Sequence, residues 1–100
     1  MSSNLYVTAR TGVTVATTRL DVAANNIANA ETPKYRRQEV VASALPEGGV
    51  KATVQRSPQQ GADLTKDIVT QLSANYSYQA NLHVLKTADE VSGSLLDLHA

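Results

Sequence analysis

The N-terminal third of the chain carries an unbroken seam of small and aliphatic side chains. From Tyr6 onward these residues recur at alternating spacings of three and four, which places them along one face of a helix. The pattern predicts an N-terminal helix over residues 4–31 with a face small enough for a partner helix to approach closely. The seam comprises Tyr6, Ala9, Val13, Ala16, Leu20, Ala23, Ile27 and Ala30.

Two local features oppose this helix. Gly12 and the β-branched residues between positions 11 and 18 lower its intrinsic stability, so packing must supply the difference. Residues 11–16 also alternate as a strand would, and a short strand there is the alternative. The seam continues through Ile27, which favours the helix, and Thr32-Pro33 predicts its end.

The middle of the chain, residues 32–62, has the pattern of a loop that contains a β-hairpin. Residues 37–45 and 50–56 alternate in polarity, and Pro46-Glu47-Gly48-Gly49 separates them with a turn. Two strands alone are barely stable in water.

Residues 63–98 are predicted to form a second, longer helix, with Asp63 as its N-cap. Its apolar side chains occupy more than one face, which a single partner helix cannot cover. We expect one set to pack between the two helices and another to face neighbouring subunits. The packing set is Leu20, Ile27, Leu72 and Leu82, and the candidate intersubunit face is Tyr76, Val84, Val91 and Leu95.

These elements predict a mainly α protein. Its N- and C-terminal helices form a long antiparallel helical hairpin, with a short β-hairpin or extended loop between them. We expect a single domain over residues 1–100, since a chain of this length fits one domain. The second helix would be roughly 50 Å long, which exceeds the width of a compact domain of this size and favours assembly.

The charges are balanced overall but divided along the chain. Residues 1–60 carry seven basic and four acidic groups, and residues 61–100 carry two basic and five acidic groups. This split favours contact between the two halves, or between one subunit's tail and a neighbour's head. The basic cluster at 34–37 could touch nucleic acid, but a neutral chain favours a solvated strand entry or an acidic neighbour such as residues 89–97.

No residues point to catalysis, a metal or a cofactor. The chain has no cysteine, and His83 and His99 stand apart from any matching acidic constellation. No window approaches the roughly 18 apolar residues of a membrane span, and the N-terminus lacks the features of a cleavable signal peptide. We expect a protein that is not an enzyme, binds no nucleic acid and does not insert into membranes.

Asparagine residues occupy unusual places. Asn25, Asn26 and Asn29 lie at the end of the first predicted helix, and Asn75 and Asn81 lie inside the second. Asparagine disfavours helix interiors because its amide competes for backbone hydrogen bonds. These residues are either exposed or capping the helix end, or they bond across helices and to the following loop, fixing the register.

The stretch from Leu20 to Tyr35 reads LDVAANNIANAETPKY. It closely resembles the N-terminal signature of bacterial flagellar rod and hook axial proteins. Residues 63–74, 78–82 and 85–90 resemble the terminal helix of the same family. Because only about 25 residues separate the two signatures, the closest match is a minimal proximal rod subunit.

The resemblance implies a structural subunit of the bacterial flagellar basal-body rod that polymerises axially through its terminal helices and helps to transmit torque. It implies other rod and axial proteins and copies of itself as partners. It also implies export to the periplasmic rod by the flagellar type III apparatus, without a cleavable signal peptide. Under the resemblance, the motif and assembly residues are Asn25, Asn26, Ile27, Asn29, Thr32, Tyr35, Tyr78 and Asn81.

An autonomous helical adaptor or chaperone-like binding module of the flagellar export system is the alternative function. A defined small oligomer that is stable without rod partners would favour it.

Lys34 departs from the resemblance, because the family motif usually has glycine at this position. If the backbone there adopts a positive φ, lysine costs roughly 1 kcal/mol or reshapes the loop.

Overall fold

The structure, a computed structural model, describes residues 2–99 as two long helices joined through a β-hairpin. Helix α1 spans Ser2–Ala28 and helix α2 spans Leu64–His99, with strands β1 at Gln38–Ala44 and β2 at Val50–Arg56 between them. The predicted fold class is confirmed. The alternative strand at residues 11–16 is wrong, because α1 is continuous through that segment.

Helix α1 lies at the centre of the fold. It contacts α2 and both strands of the hairpin, and α2 and the hairpin meet chiefly through it. Ala9, Ala16 and Ala23 are buried, as the seam predicts. Val15 and Val22 are also buried and lie on a neighbouring face of the same helix. α1 therefore has two buried faces.

Small side chains form the contact between α1 and α2. A Cβ atom built on Gly12 would stand 2.8 Å from the side-chain amide atoms of Asn81, so α2 approaches α1 closely at this point. On α2 the buried residues are Asp67 and Ala74, which together with Asn81 recur every seven residues. A seven-residue repeat keeps one face of a helix against its partner.

The prediction that four large aliphatic residues pack between the helices is wrong for two of them. Leu20 and Ile27 are half-buried, but Leu72 and Leu82 are 58% and 47% exposed and lie outside the contact between the helices. The helices approach through glycine and alanine, which leaves no room for large aliphatic side chains between them. The large side chains of α2 therefore face outward.

The hairpin pairs antiparallel, from Gln38 opposite Arg56 to Ala44 opposite Val50. The backbone N–H of Val50 donates to Thr11 Oγ1 at 3.0 Å, which fastens the turn end of the hairpin to α1. Gly49 has a φ of 89°, and a Cβ atom there would stand 2.8 Å from Thr11 Oγ1. Both the conformation and the close approach require glycine.

Asp63 caps α2 as predicted. Its Oδ1 accepts a hydrogen bond from the backbone N–H of Lys66 at 3.1 Å, which satisfies one of the unpaired donors at a helix start.

The molecule is elongated, with principal extents of 62 × 25 × 14 Å. Because Asn26 faces Asp67 and Gly12 faces Asn81, the antiparallel register brings the start of α1 level with Val91. The last turns of α2 extend beyond α1. Within residues 2–99, no helix is both long and apolar enough to span a bilayer.

We predict that Gly12→Ala lowers the free energy of unfolding, although alanine is the better helix former by about 1 kcal/mol. The added methyl group meets the side-chain amide of Asn81, which must move away and give up its hydrogen bond to the carbonyl oxygen of Ser77. In the Asn81→Ala background the same substitution should be stabilising. Gly93→Ala is the matched control, since nothing lies within 4 Å of its Cβ position and it should gain up to about 1 kcal/mol. Urea denaturation of the four variants measures these changes, and equal gains at both glycines would contradict the close approach.

Candidate functional site

The side-chain amide of Asn26 joins the hairpin to α1. Asn26 is 2% exposed, and its Oδ1 accepts from the backbone N–H of Gln38 at 2.8 Å. Its Nδ2 donates to the carbonyl oxygen of the same Gln38 at 2.9 Å. The amide thus pairs with Gln38 as the backbone of a neighbouring strand would, and it fixes where β1 begins.

The same amide also reaches α2. Asn26 Nδ2 lies 3.3 Å from Asp67 Oδ1, in the first turn of α2. The guanidinium of Arg37, immediately before β1, binds both carboxylate oxygens of Asp67, with Nε 3.1 Å from Oδ2 and Nη2 bound to Oδ1. Asp67 is 2% exposed, so the pair is shielded from water on its acidic side.

The ion pair between Arg37 and Asp67 stabilises the charged form of the guanidinium. The hydrogen bond from Arg37 to Asp67 raises the pKa of the guanidinium further above its ordinary value, against the opposing effect of burial. A bidentate geometry between a planar guanidinium and a carboxylate holds both groups in orientation. Among the described side chains, no buried polar atom is left without a hydrogen-bond partner. We refer to Asn26, Tyr35, Arg37, Gln38 and Asp67 as the polar junction.

Tyr35 closes the junction on the side of the loop. Its hydroxyl lies 2.6 Å from Asn25 Oδ1 and 3.2 Å from Asn26 Oδ1. The guanidinium of Arg56, at the end of β2, stacks over the tyrosine ring at 5.4 Å from its centroid. The loop after α1 is therefore held to both the helix and the hairpin.

The remaining motif residues close the C-terminal end of α1. Asn29 Nδ2 donates to the carbonyl oxygen of Asn25 at 2.9 Å, and Thr32 Oγ1 donates to Asn29 Oδ1 at 3.1 Å. These bonds are local and exposed, whereas those of Asn26 cross between elements. Both predicted roles therefore occur: Asn29 caps the end of the helix, and Asn26 bonds to other elements. Ile27 is half-buried on the seam.

Lys34 adopts the conformation that the family glycine would favour. Its φ is 62°, and the N–H of Tyr35 donates to the carbonyl oxygen of Thr32 at 3.3 Å. Proline at the second position and a positive φ at the third are the features of a type II turn, which favours glycine at the third. The lysine therefore sits in a strained conformation next to the junction.

The two motif residues on α2 lie far from the junction. Asn81 donates from Nδ2 to the carbonyl oxygen of Ser77 at 2.9 Å and packs against Gly12, and Tyr78 is half-buried one turn earlier. Asn81 belongs to the contact between the helices rather than to the junction.

The candidate intersubunit residues lie along α2, three of them beside the start of α1. Tyr76, Val91 and Leu95 are 75%, 54% and 53% exposed, and Val84 is half-buried. The last three line an open, mainly apolar groove of about 490 Å³ between Leu5 and α2. Tyr76, Val91 and Leu95 together expose an apolar surface, and exposed apolar patches often mark interaction sites.

Sequence reasoning missed Gln38 and Asp67 as partners of Asn26, and Arg37 as the partner of Asp67. The basic cluster was expected to be solvated or to meet an acidic neighbour such as residues 89–97, but Arg37 binds Asp67 of its own chain. A signal was present, because Asp67, Ala74, Asn81 and Ala88 form a seven-residue repeat that matches Ala9, Ala16 and Ala23. Within the described part of the chain, no three acidic or histidine side chains converge as a metal site would require.

Residues 7–36 match the sequence profile of a family described as flagella basal body rod protein. The match supports the flagellar rod family. It contains most of α1, Asn25, Asn26 and the turn at Lys34, and it ends just before Arg37. No curated protein matches the chain. The matched family consists of structural components of the flagellar basal-body rod, and the match covers residues 7–36 of this chain.

We predict that Lys34→Gly raises the free energy of unfolding by about 1 kcal/mol, because glycine adopts this backbone conformation without strain. Lys51→Gly is the control: Lys51 lies in β2 opposite Ser43, where glycine should be destabilising. Thermal denaturation of both variants measures the difference. Destabilisation by both substitutions would contradict the strained turn.

We predict that Asn26→Asp lowers the free energy of unfolding by about 2–4 kcal/mol at pH 7, because a second carboxylate then faces Asp67 and the donor to Gln38 is lost. Lowering the pH protonates the introduced carboxyl and should restore part of the loss. Asn25→Asp keeps the acceptor for Tyr35 on an exposed side chain and should have a small effect. Denaturation at pH 7 and pH 4 tests this, and equal effects of the two variants would contradict the role of the junction.

Proposed function

We propose that the chain is a rod subunit that polymerises axially, with other rod proteins and with copies of itself, and helps to transmit torque. The observation that carries this proposal is the exposed apolar surface of α2. Val69, Leu72 and Tyr76 are more than half exposed, although residues of this kind are normally shielded from water. Neighbouring subunits would cover this surface in the rod.

The polar junction supports the mechanical part of the proposal. A subunit that transmits torque must not change shape under load, and its elements must move together. Asn26 and Arg37 tie the hairpin to both helices through hydrogen bonds that satisfy every partner. In this proposal the motif residues Asn25, Asn26, Ile27, Asn29, Thr32, Tyr35, Tyr78 and Asn81 keep the subunit in the form that assembles.

The candidate intersubunit face is Tyr76, Val84, Val91 and Leu95. These side chains follow one another along α2 at helical spacing and continue from the middle of the helix to its C-terminal end. We assign this stripe to lateral contacts with adjacent subunits. Export by the flagellar type III apparatus and a periplasmic location in the rod are part of the same proposal and rest on the family.

We predict that Val91→Asp reduces incorporation into purified basal bodies about tenfold, because a carboxylate in an apolar contact is poorly solvated. Val91 is exposed in the isolated subunit, so soluble expression should be unchanged. Gln71→Asp, at an exposed position of the same helix outside the stripe, is the control and should incorporate normally. Quantitative mass spectrometry of salt-washed basal bodies measures both.

Three results would contradict the proposal or its assignment of Val91. Normal incorporation of Val91→Asp would remove the stripe from the interface. Loss of soluble expression would identify Val91 as part of the subunit's own core. Absence of the unaltered chain from basal bodies, while it is abundant in the cell, would favour the adaptor.

A further inference from the structure

The C-terminal end of α2 is both acidic and apolar. Asp89, Glu90 and Asp97 are exposed there. The side chains of Val91, Leu95, Leu96 and Leu98 are exposed by 53% to 80%, on turns that reach and then pass the start of α1. We refer to residues 89–98 as the acidic tip.

The charges of the acidic tip oppose the helix that carries them. The C-terminal end of a helix has a partial negative charge from its unpaired carbonyl groups, and it favours basic side chains. Asp97 nevertheless lies in the last turn of α2. A charge that its own helix disfavours suggests a partner outside the subunit.

The opposite end of the molecule has the reverse character. Lys34, Arg36, Arg56 and Lys66 are exposed where the loop leaves α1, β2 ends and α2 begins. Glu31 and Asp63 are the exposed acidic residues of the same region, which leaves it basic. Leu64 and Ile68 are 48% and 44% exposed beside these charges. We refer to this surface as the basic end.

The two ends cannot neutralise each other within one molecule. Lys66 and Glu90 lie on the same helix, about 36 Å apart at 1.5 Å per residue. That distance is several times the roughly 8 Å over which charges are screened at physiological ionic strength. Among the residues that the structure describes, Arg37 and Asp67 form the one salt bridge. The basic and acidic side chains therefore stay exposed, at opposite ends of the molecule.

We propose that the acidic tip of one copy docks on the basic end of the next, in a head-to-tail contact. Opposite charges meet at the rim, and Leu96 and Leu98 of the tip cover Leu64 and Ile68. Since each copy keeps one free tip and one free basic end, the contact does not close and builds a linear array. This inference rests on the proposed axial polymerisation and gives it a direction.

Charge reversal at either end tests the contact. Glu90→Lys with Asp97→Lys reverses the tip, and Arg36→Glu with Lys66→Glu reverses the basic end. Basic residues near the end of α2 and an acidic residue in its first turn both favour the helix dipole, although Glu90→Lys places a second lysine four residues after Lys86. Circular dichroism of each variant checks that α2 stays helical. Each pair alone should weaken self-association about tenfold, measured by sedimentation velocity over a concentration series at 0.15 M salt.

The chain with all four reversals is the decisive variant. Its net charge is zero, as in the unaltered chain, and it should regain self-association. Asp21→Lys with Asn75→Lys and Gln79→Lys is the matched control, because it changes the net charge by the same four units as the tip reversal but lies at exposed positions in the middle of the two helices. This control should associate nearly as the unaltered chain does.

Failure of the four-fold variant to recover would overturn the head-to-tail contact, and so would absence of self-association in the unaltered chain. Copurification of the unaltered chain with basal bodies is measured separately. If the chain copurifies but the reversals have no effect on self-association, the rod function stands and this contact is wrong. If the chain does not copurify, the proposed function itself fails.

Discussion

The structure depends on one buried amide. Asn26 places a donor and an acceptor where α1, β1 and α2 meet, and a buried polar group of this kind is costly unless each of its bonds is made. Gln38 and Asp67 supply those bonds, and Arg37 completes the site by binding Asp67. Because the partners come from different elements, the amide is satisfied only when all three elements are in place. The buried amide therefore fixes the relative positions of α1, α2 and the hairpin in a chain whose apolar core is small.

The same arrangement determines which surfaces remain available. Helix α1 covers one face of α2 with alanine and glycine, so the larger apolar side chains of α2 are left on the outside. A compact domain would bury such residues, but a 62 Å subunit made of two helices and one hairpin has no further element to cover them. The surplus follows from the closeness of the helices. In the proposed rod subunit, neighbouring subunits would cover this surface.

The sequence predicted the elements well and the contacts between them less well. The seam through Ala9, Ala16 and Ala23 and the capping role of Asp63 are local patterns, and both are confirmed. Leu72 and Leu82 were wrongly assigned to the interior because side-chain size was taken as the guide, while the contact is made by small residues. Asp67 was missed because an aspartate in the first turn of a helix also serves the helix itself. Its pairing with Arg37 depends on the three-dimensional meeting of distant segments.

The most direct test of this account is native-state hydrogen exchange of the Gln38 amide, which donates to Asn26. If the junction joins the three elements, this amide should exchange only through the same global opening as the central amides of α1, with an equal free energy. Exchange at a much lower free energy, while α1 stays protected, would show that the hairpin detaches by itself. That result would contradict the claim that one buried amide holds the fold together.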